Sequence, residues 1–123
     1  MKVLLSIKPE FAELIFDGSK KFEFRRAIFK NRQIKTVVVY ASSPVQKVIG
    51  EFEIEEILNE DIHRLWKLTK KGAGIDKDYF DEYFTNKAAG FAIKIKKTKK
   101  YANPLCLKKD FNLIPPQSFL YLA

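Results

Sequence analysis

Residues 18–26, GSKKFEFRR, place a single carboxylate inside a strongly basic segment. Polar and aromatic residues alternate over positions 21–25, which is typical of a β-strand with one face in the core. Glu23 and Arg25 then lie together on the opposite face, close enough to form an ion pair. A guanidinium is a planar fork suited to a phosphate or to the edge of a base, and a neighbouring carboxylate would hold that fork in place.

Two lysines could add positive charge to the same place. Lys20 follows Gly18 at a loop-to-strand junction, from which its side chain could turn into a cleft. Lys8 lies between a predicted strand and a predicted helix and could reach that cleft. Glu23 could alternatively accept a hydrogen bond from an exocyclic amine of a base. A structural ion pair and an ordinary exposed lysine remain the simpler alternatives.

The overall charge favours a polyanionic partner. The 123 residues include 23 Lys and Arg against 15 Asp and Glu, a net charge of +8, and residues 20–35 hold seven of the basic residues. Single-stranded RNA suits such a chain better than a duplex, because its bases stack on aromatic rings while its phosphates meet cations. Phe29 and Tyr40 are the two candidates for stacking, although each could instead be a packing residue.

Several kinds of site are excluded by composition. The chain has one histidine, His63, predicted to be exposed on its helix, and one cysteine, Cys106, predicted to be a small buried residue. These two residues are too few for the usual zinc site, and one cysteine cannot form an internal disulfide. A serine–histidine triad would have to rely on His63, whose predicted exposed position does not favour that role. No glycine-rich phosphate loop is present. We therefore expect no cofactor and no metal.

The sequence also indicates where in the cell the protein is located. The apolar stretch at the N-terminus stops at Lys8-Pro9, too early for a signal peptide, and no apolar run approaches the roughly 20 residues of a membrane span. A single cysteine suits a reducing compartment. We expect a cytoplasmic protein with no membrane partner.

The hydrophobic pattern predicts one α+β domain over residues 1–123, a mostly antiparallel sheet or barrel with three helices in its connections. Helices are expected from Pro9 to Gly18, from an Asn59 cap to Gly72, and after an Asp76 cap. Glutamates 51, 53 and 55 and lysines 94 and 96 are expected to be cross-strand pairs on a wet surface. The predicted strands are 3–7, 21–25, 36–41, 47–57, 90–96 and 118–122, with another around Tyr101.

The series Gly18-x-Lys20-x-x-Glu23-x-Arg25 resembles the GxKxxExR signature of the ASCH (activating signal cointegrator homology) domain family, which belongs to the PUA-like superfamily. The segments VVVYASSP, VIGEFEI, LWKLT, YFDEYF and PPQSFLYL are similar to those of small stand-alone bacterial members. The resemblance covers nearly the whole chain. It implies a PUA-like, mostly antiparallel β-barrel with about three helices and a cleft beside the signature.

The resemblance also implies a function. ASCH domains are thought to bind RNA in translation-linked regulation, while some relatives hydrolyse an acetylated cytidine nucleoside and others act as nucleases. We therefore expect a domain that binds RNA or a modified nucleotide. The alternative is a small metal-independent hydrolase, either of a modified nucleoside or of RNA, with Lys20 and Glu23 as catalytic residues. That chemistry needs a lysine of lowered pKa or a carboxyl of raised pKa, and Arg25 should instead favour an ionised Glu23. The residues expected at the binding site are Lys8, Lys20, Glu23, Arg25, Arg26, Tyr40, Ser42 and Ser43.

Overall fold

The computed structural model describes residues 1–123, which form six β-strands and four α-helices. In chain order these are β1 (Lys2–Ile7), α1 (Pro9–Phe16), β2 (Phe22–Arg25), β3 (Thr36–Ala41), β4 (Lys47–Asp61), α2 (Ile62–Thr69), α3 (Lys77–Tyr83), β5 (Ala89–Leu105), α4 (Leu107–Phe111) and β6 (Phe119–Leu122). A short 3-10 turn, Lys70–Gly72, follows α2.

The strands form one sheet in the order β2-β5-β4-β3-β1-β6. Only β1 and β3 pair in parallel, and the other four pairings are antiparallel. The predicted α+β class and the mostly antiparallel sheet are therefore confirmed. The predicted β-barrel is wrong, because β2 and β6 remain at the two edges with no backbone ladder between them. The helices number four rather than about three, since α4 was not predicted.

The apolar runs VLLSI and TVVVYA form two adjacent interior strands, β1 and β3, and are buried on both faces. Val3, Leu5, Val37 and Val39 pack on one side with Ala12 and Ile15 of α1. The other side carries a second cluster, Leu4, Val38, Tyr40, Val48 and Leu107, the last of which lies in α4. Helices therefore cover the sheet from both sides.

The segment that joins β2 to β3 is held by apolar side chains. Phe29 and Ile34 are nearly fully buried and belong to the same cluster as Val3 and Leu5. The backbone N–H groups of Lys30 and Asn31 both donate to the Tyr121 hydroxyl of β6, at 3.0 and 3.1 Å. This basic loop is thus anchored into the core and onto an edge strand. Phe29 is a packing residue, and its alternative role in stacking a base is wrong.

The two longest strands, β4 and β5, run farther than the sequence predicted. Asn59 to Asp61 pair with Phe91 to Ala89, so the cap of the helix lies two residues after the predicted one. Asp61 is the cap that the structure uses, since its carboxylate accepts from the Arg64 N–H at 3.0 Å. At the next helix the predicted cap is confirmed, because Asp76 accepts from the Tyr79 N–H at 2.8 Å.

The acidic and basic faces of these strands do meet. Glu51 and Glu53 lie opposite Lys99 and Lys97, and Lys94 forms a 3.0 Å ion pair with Glu55. Pairing across the two strands is therefore confirmed, but of the two lysines expected to take part only Lys94 does so, and Lys96 lies opposite none of these glutamates. The residues are accounted for as a solvated sheet surface. The strand around Tyr101 is part of the same long β5.

The remaining polar candidates lie at the surface. His63 is exposed, as predicted. Cys106 is half-buried rather than buried, and its sulfur accepts from the Lys109 N–H at the start of α4. No helix in residues 1–123 has the length and apolar character needed to cross a membrane.

Candidate functional site

The signature begins where α1 ends. Gly18 adopts a φ of +89°, a conformation that glycine takes without strain, and the chain then turns so that the Lys20 N–H donates to the Leu14 carbonyl at 2.9 Å. β2 starts two residues later. This tight exit from the helix directs the Lys20 side chain inward, and only 2% of its surface is exposed.

Lys20 lies in an unusual environment for an amine. Its Nζ donates to the Ala73 carbonyl at 2.6 Å and lies 5.3 and 4.9 Å from the ring centres of Phe11 and Phe24. Burial against these rings lowers the pKa of Lys20 to about 8, and the nearby charge of Glu23 opposes that shift. A substantial fraction of the amine is therefore neutral slightly above neutral pH.

Glu23 forms the expected ion pair with Arg25, at 3.1 Å. The pair is shielded from solvent, because Glu23 is 94% buried. Burial is the largest influence on the carboxyl and raises the pKa of Glu23, while Arg25 and Lys20 both act to lower it. Arg25 therefore favours the ionised carboxylate, as expected, but burial outweighs its effect on the pKa of Glu23.

Arg25 is almost fully engaged by protein atoms. Nη1 donates to Glu23 and to the Ser6 carbonyl, at 3.1 and 3.3 Å. Nη2 donates to the Ser118 carbonyl and hydroxyl, at 3.2 and 2.9 Å. The guanidinium therefore connects β2 to Ser6 of β1 and to Ser118, the residue just before β6. Its hydrogen bond to Glu23 orients that carboxylate.

These side chains line one cavity of about 180 Å³. Four of the predicted binding residues, Lys8, Lys20, Glu23 and Arg25, come together there. Lys8 is exposed at the mouth, where its Nζ donates to the Tyr79 hydroxyl at 3.3 Å. The other lining residues are Ser6, Ile7, Phe11, Phe24, Ile75, Tyr79 and Tyr83. The cavity thus combines aromatic and aliphatic walls with one buried amine and one buried carboxylate.

A second, polar cavity adjoins the first and shares Ser6 and Lys8 with it. It contains Tyr40, Ser42 and Ser43, the remaining predicted residues apart from Arg26. Its other lining residues are Gln46, Pro115, Pro116 and Gln117, so no acidic side chain lies in it. Hydroxyl and amide side chains therefore lie beside Lys8 in this cavity.

Arg26 lies outside both cavities. Its Nη1 donates to the carbonyls of Tyr83 and Thr85, at 2.8 and 2.9 Å, at the C-terminal end of α3. Cationic side chains are favoured at that position by the helix dipole. The predicted role of Arg26 in the cleft is therefore not supported by its position, and the contacts it makes are structural.

Sequence reasoning missed the α3 wall of the cavity. Tyr79 and Tyr83 are not among the predicted site residues, yet both are only half-buried and line the cavity. The Tyr83 hydroxyl donates to the Phe24 carbonyl at 3.1 Å, and burial raises the pKa of that phenol. Two tyrosines four residues apart share a helix face, a signal that could have distinguished them from Phe80 and Phe84.

Residues 5–99, more than three quarters of the chain, match the family model of the ASCH domain. The chain belongs to the ASCH domain family. An ASCH domain-containing ribonuclease from Zymomonas mobilis is 33% identical over 124 residues, which cover 98% of this chain and 84% of that protein. The crystal structure of an ASCH protein from the same organism superposes with a TM-score of 0.91 at 30% identity, over 99% of this chain and 87% of that one.

The same ASCH domain also resembles part of a longer protein. A large ribosomal subunit protein uL22 from Ureaplasma parvum is 31% identical over 121 residues. This chain spans only 39% of the length of that protein, although 98% of this chain is covered. The likeness therefore concerns one segment of that protein.

Proposed function

We propose that this ASCH domain binds single-stranded RNA, or a nucleotide with a modified base, and that one base enters the cavity of Lys20 and Glu23. The observation that carries the proposal is the pairing of an almost fully buried amine with an almost fully buried carboxylate at one aromatic cavity. The Watson–Crick edge of each base presents at least one hydrogen-bond donor and one acceptor. A carboxylate and an amine that line the same cavity can satisfy both.

Glu23 and Lys20 both keep hydrogen-bonding atoms that the protein does not use, which supports recognition of a ligand. Glu23 uses only Oε2 for Arg25, which leaves its other oxygen free to accept from a base. Lys20 uses one N–H for the Ala73 carbonyl and keeps its others for an acceptor on the ligand. Because both groups have already lost most of their hydration, a ligand that pairs with them incurs little further desolvation cost.

The surroundings of the cavity suit a strand rather than a lone base. Tyr79 and Phe11 provide half-buried rings near the mouth, where a base or sugar can pack. The adjoining polar cavity, with Ser42, Ser43 and Lys8, suits the phosphate of a neighbouring nucleotide. The net charge of +8 would attract the rest of the strand.

The test is the fluorescence anisotropy of a labelled single-stranded RNA at about 50 and 200 mM salt, since phosphate contacts make affinity fall steeply with salt. Lys8→Ala should weaken binding and reduce the salt dependence. Lys67→Ala is a charge-matched control, because Lys67 is exposed on α2 and lines neither cavity. Equal losses in the two variants, or no binding by the wild type, would refute the proposal.

RNA cleavage is a second candidate, favoured by the Zymomonas mobilis relative that is named a ribonuclease. In metal-independent cleavage a base removes the proton of a 2′-hydroxyl, whose oxygen attacks the adjacent phosphorus. The 5′-oxygen then leaves with a proton from an acid. Lys20, whose pKa is lowered to about 8, and Glu23, whose pKa is raised, are the pair that could exchange these protons.

Cleavage can be separated from binding on a denaturing gel. RNA incubated with the protein and a chelator should yield fragments ending in a 2′,3′-cyclic phosphate, whereas a 2′-deoxy residue at the cleaved position should block the reaction. Lys20→Met should abolish cleavage. If purified Lys20→Met cleaves as fast as the wild type, Lys20 has no part in it. If no RNA is cleaved, modified nucleosides are the next substrates to screen for hydrolysis.

A further inference from the structure

Gly72, at the end of the 3-10 turn, and the next two residues, Ala73 and Gly74, form a turn that packs directly against Lys20 and Lys21. The Lys21 N–H donates to the Gly72 carbonyl at 2.7 Å, and the Lys20 amine donates to the Ala73 carbonyl at 2.6 Å. These bonds join two segments that lie about 50 residues apart in the chain. The turn therefore forms the floor against which Lys20 lies.

Gly74 fits this floor because it has no side chain. Its φ is +70°, and a Cβ placed on it would lie 2.6 Å from Cγ and 2.7 Å from Cβ of Lys20. Such distances are well inside van der Waals contact, and the atoms that would clash belong to the stiff inner part of the lysine stem. The space that a Gly74 side chain would occupy is the space through which Lys20 reaches the cavity.

We propose that Gly74 is a positioning residue for Lys20, which determines where the amine is presented to a ligand and therefore which ligands the cavity accepts. The inference rests on the proposed function, in which that amine donates to a bound base. The Ala73 carbonyl fixes the direction of one N–H, so the two other donors of the ammonium group have defined directions as well. Gly74 acts only through Lys20 and touches no ligand itself.

This arrangement has a consequence that can be measured without any ligand. The buried amine lies near the rings of Phe11 and Phe24, and the lysine stem packs closely against Gly74. A side chain at position 74 would push the stem away and expose the amine to water. The titration of Lys20 should then return from a pH of about 8 toward the ordinary lysine value of 10.5.

The experiment follows the Lys20 amine by NMR of the side chain across pH 6–11 in the wild type, Gly74→Ala and Asn112→Ala. Asn112 has a φ of +55° at the end of α4, lines neither cavity, and so reproduces the backbone strain of an alanine with positive φ. We expect an upward shift of at least one pH unit in Gly74→Ala alone. An unchanged Lys20 titration in folded Gly74→Ala would overturn the inference.

A second substitution at position 74, and the Gly74→Ala substitution in a Lys20→Ala protein, complete the test. Gly74→Asn adds the same Cβ but tolerates a positive φ better, so it can replace Gly74→Ala if the latter does not fold. Gly74→Ala should weaken RNA binding at least tenfold in the wild type but less than twofold when Lys20 is already alanine. Equal losses in both backgrounds would show that Gly74 acts independently of Lys20. If the wild type binds no RNA, the proposed function fails, whereas the titration still decides the role of Gly74.

Discussion

The guanidinium of Arg25, on β2, donates to both the hydroxyl and the carbonyl of Ser118, 93 residues later in the chain. Ser118 directly precedes β6, so this contact joins the two edges of the sheet at a point where they share no backbone ladder. The same Ser118 carbonyl accepts from the Ser6 N–H at 3.2 Å. The Arg25 side chain therefore connects the two edges of the sheet at the place where strand pairing would close a barrel.

Replacing Arg25 should test this relationship. Arg25→Met keeps most of the stem but leaves the Glu23 carboxylate buried without its partner, which typically costs about 3–5 kcal/mol. Ser118→Ala removes one hydrogen bond and should cost only about 1 kcal/mol. The measurement is the free energy of unfolding in urea at pH 7.

The compensating change provides the control for that prediction. Glu23→Gln removes the charge that Arg25 balances, so the double variant Arg25→Met/Glu23→Gln should be more stable than Arg25→Met alone. Additive losses from the two substitutions would mean that the ion pair is not the cause. A loss for Arg25→Met no greater than that for Ser118→Ala would contradict the prediction directly.

The buried amine of Lys20 should make stability rise with pH in a defined window. Its folded pKa of about 8 lies below the ordinary value of 10.5, so between these pH values the unfolded chain binds more protons than the folded one. Stability therefore increases from pH 8 to 10.5, and the cost of the buried charge below pH 8 is on the order of 3 kcal/mol. Other lysines and tyrosines also titrate there, so the effect must be measured as a difference.

The quantity to follow is the difference between the unfolding free energies of the wild type and Lys20→Met. Methionine fills a similar space without a charge. The unfolding free energy of the wild type minus that of Lys20→Met should increase as the pH is raised from 7 to 10. A difference that stays constant over this range would show that the amine is not destabilised by burial.

The ring of Tyr79 should contribute to binding through its face rather than its hydroxyl. Tyr79→Phe loses only the 3.3 Å hydrogen bond from Lys8 and should leave RNA affinity nearly unchanged. Tyr79→Leu loses the aromatic face, and base–aromatic stacking is worth roughly 1–3 kcal/mol, so affinity should fall by about fivefold or more. Fluorescence anisotropy with the same RNA distinguishes a contribution of the ring from one of the hydroxyl. A larger loss of affinity in Tyr79→Phe than in Tyr79→Leu would show that the hydroxyl, and not the ring, contributes to binding.

Phe29 should affect stability and not recognition. It is 99% buried in the core cluster of the sheet, and Phe29→Ala should cost about 3–5 kcal/mol of unfolding free energy. Phe29→Leu should cost much less, and at temperatures where it is folded it should bind RNA as the wild type does. Weakened RNA binding by a fully folded Phe29→Leu protein would restore Phe29 as a contact residue.

Local pattern accounts for much of the fold. Unbroken apolar runs predicted β1 and β3, and turn and capping residues such as Gly18 and Asp76 predicted where neighbouring helices end or begin. Asn59 misled the prediction, because the pairing of residues 59–61 with β5 outweighed the capping preference of an asparagine. The helix α4 escaped notice because five residues are too few for a periodic pattern.

The sequence by itself determined that Lys20 lies just before the short strand that carries Glu23 and Arg25, and that Glu23 shares a face with Arg25. Only the tertiary structure decided that this face is buried. Strand alternation tells which side chains lie together, but what covers them depends on segments far away in the chain. Here Ser6, the turn at Ala73, the tyrosines of α3 and Ser118 close over the pair. That enclosure removes water from a lysine and a glutamate, which shifts both pKa values and turns a surface ion pair into a candidate site.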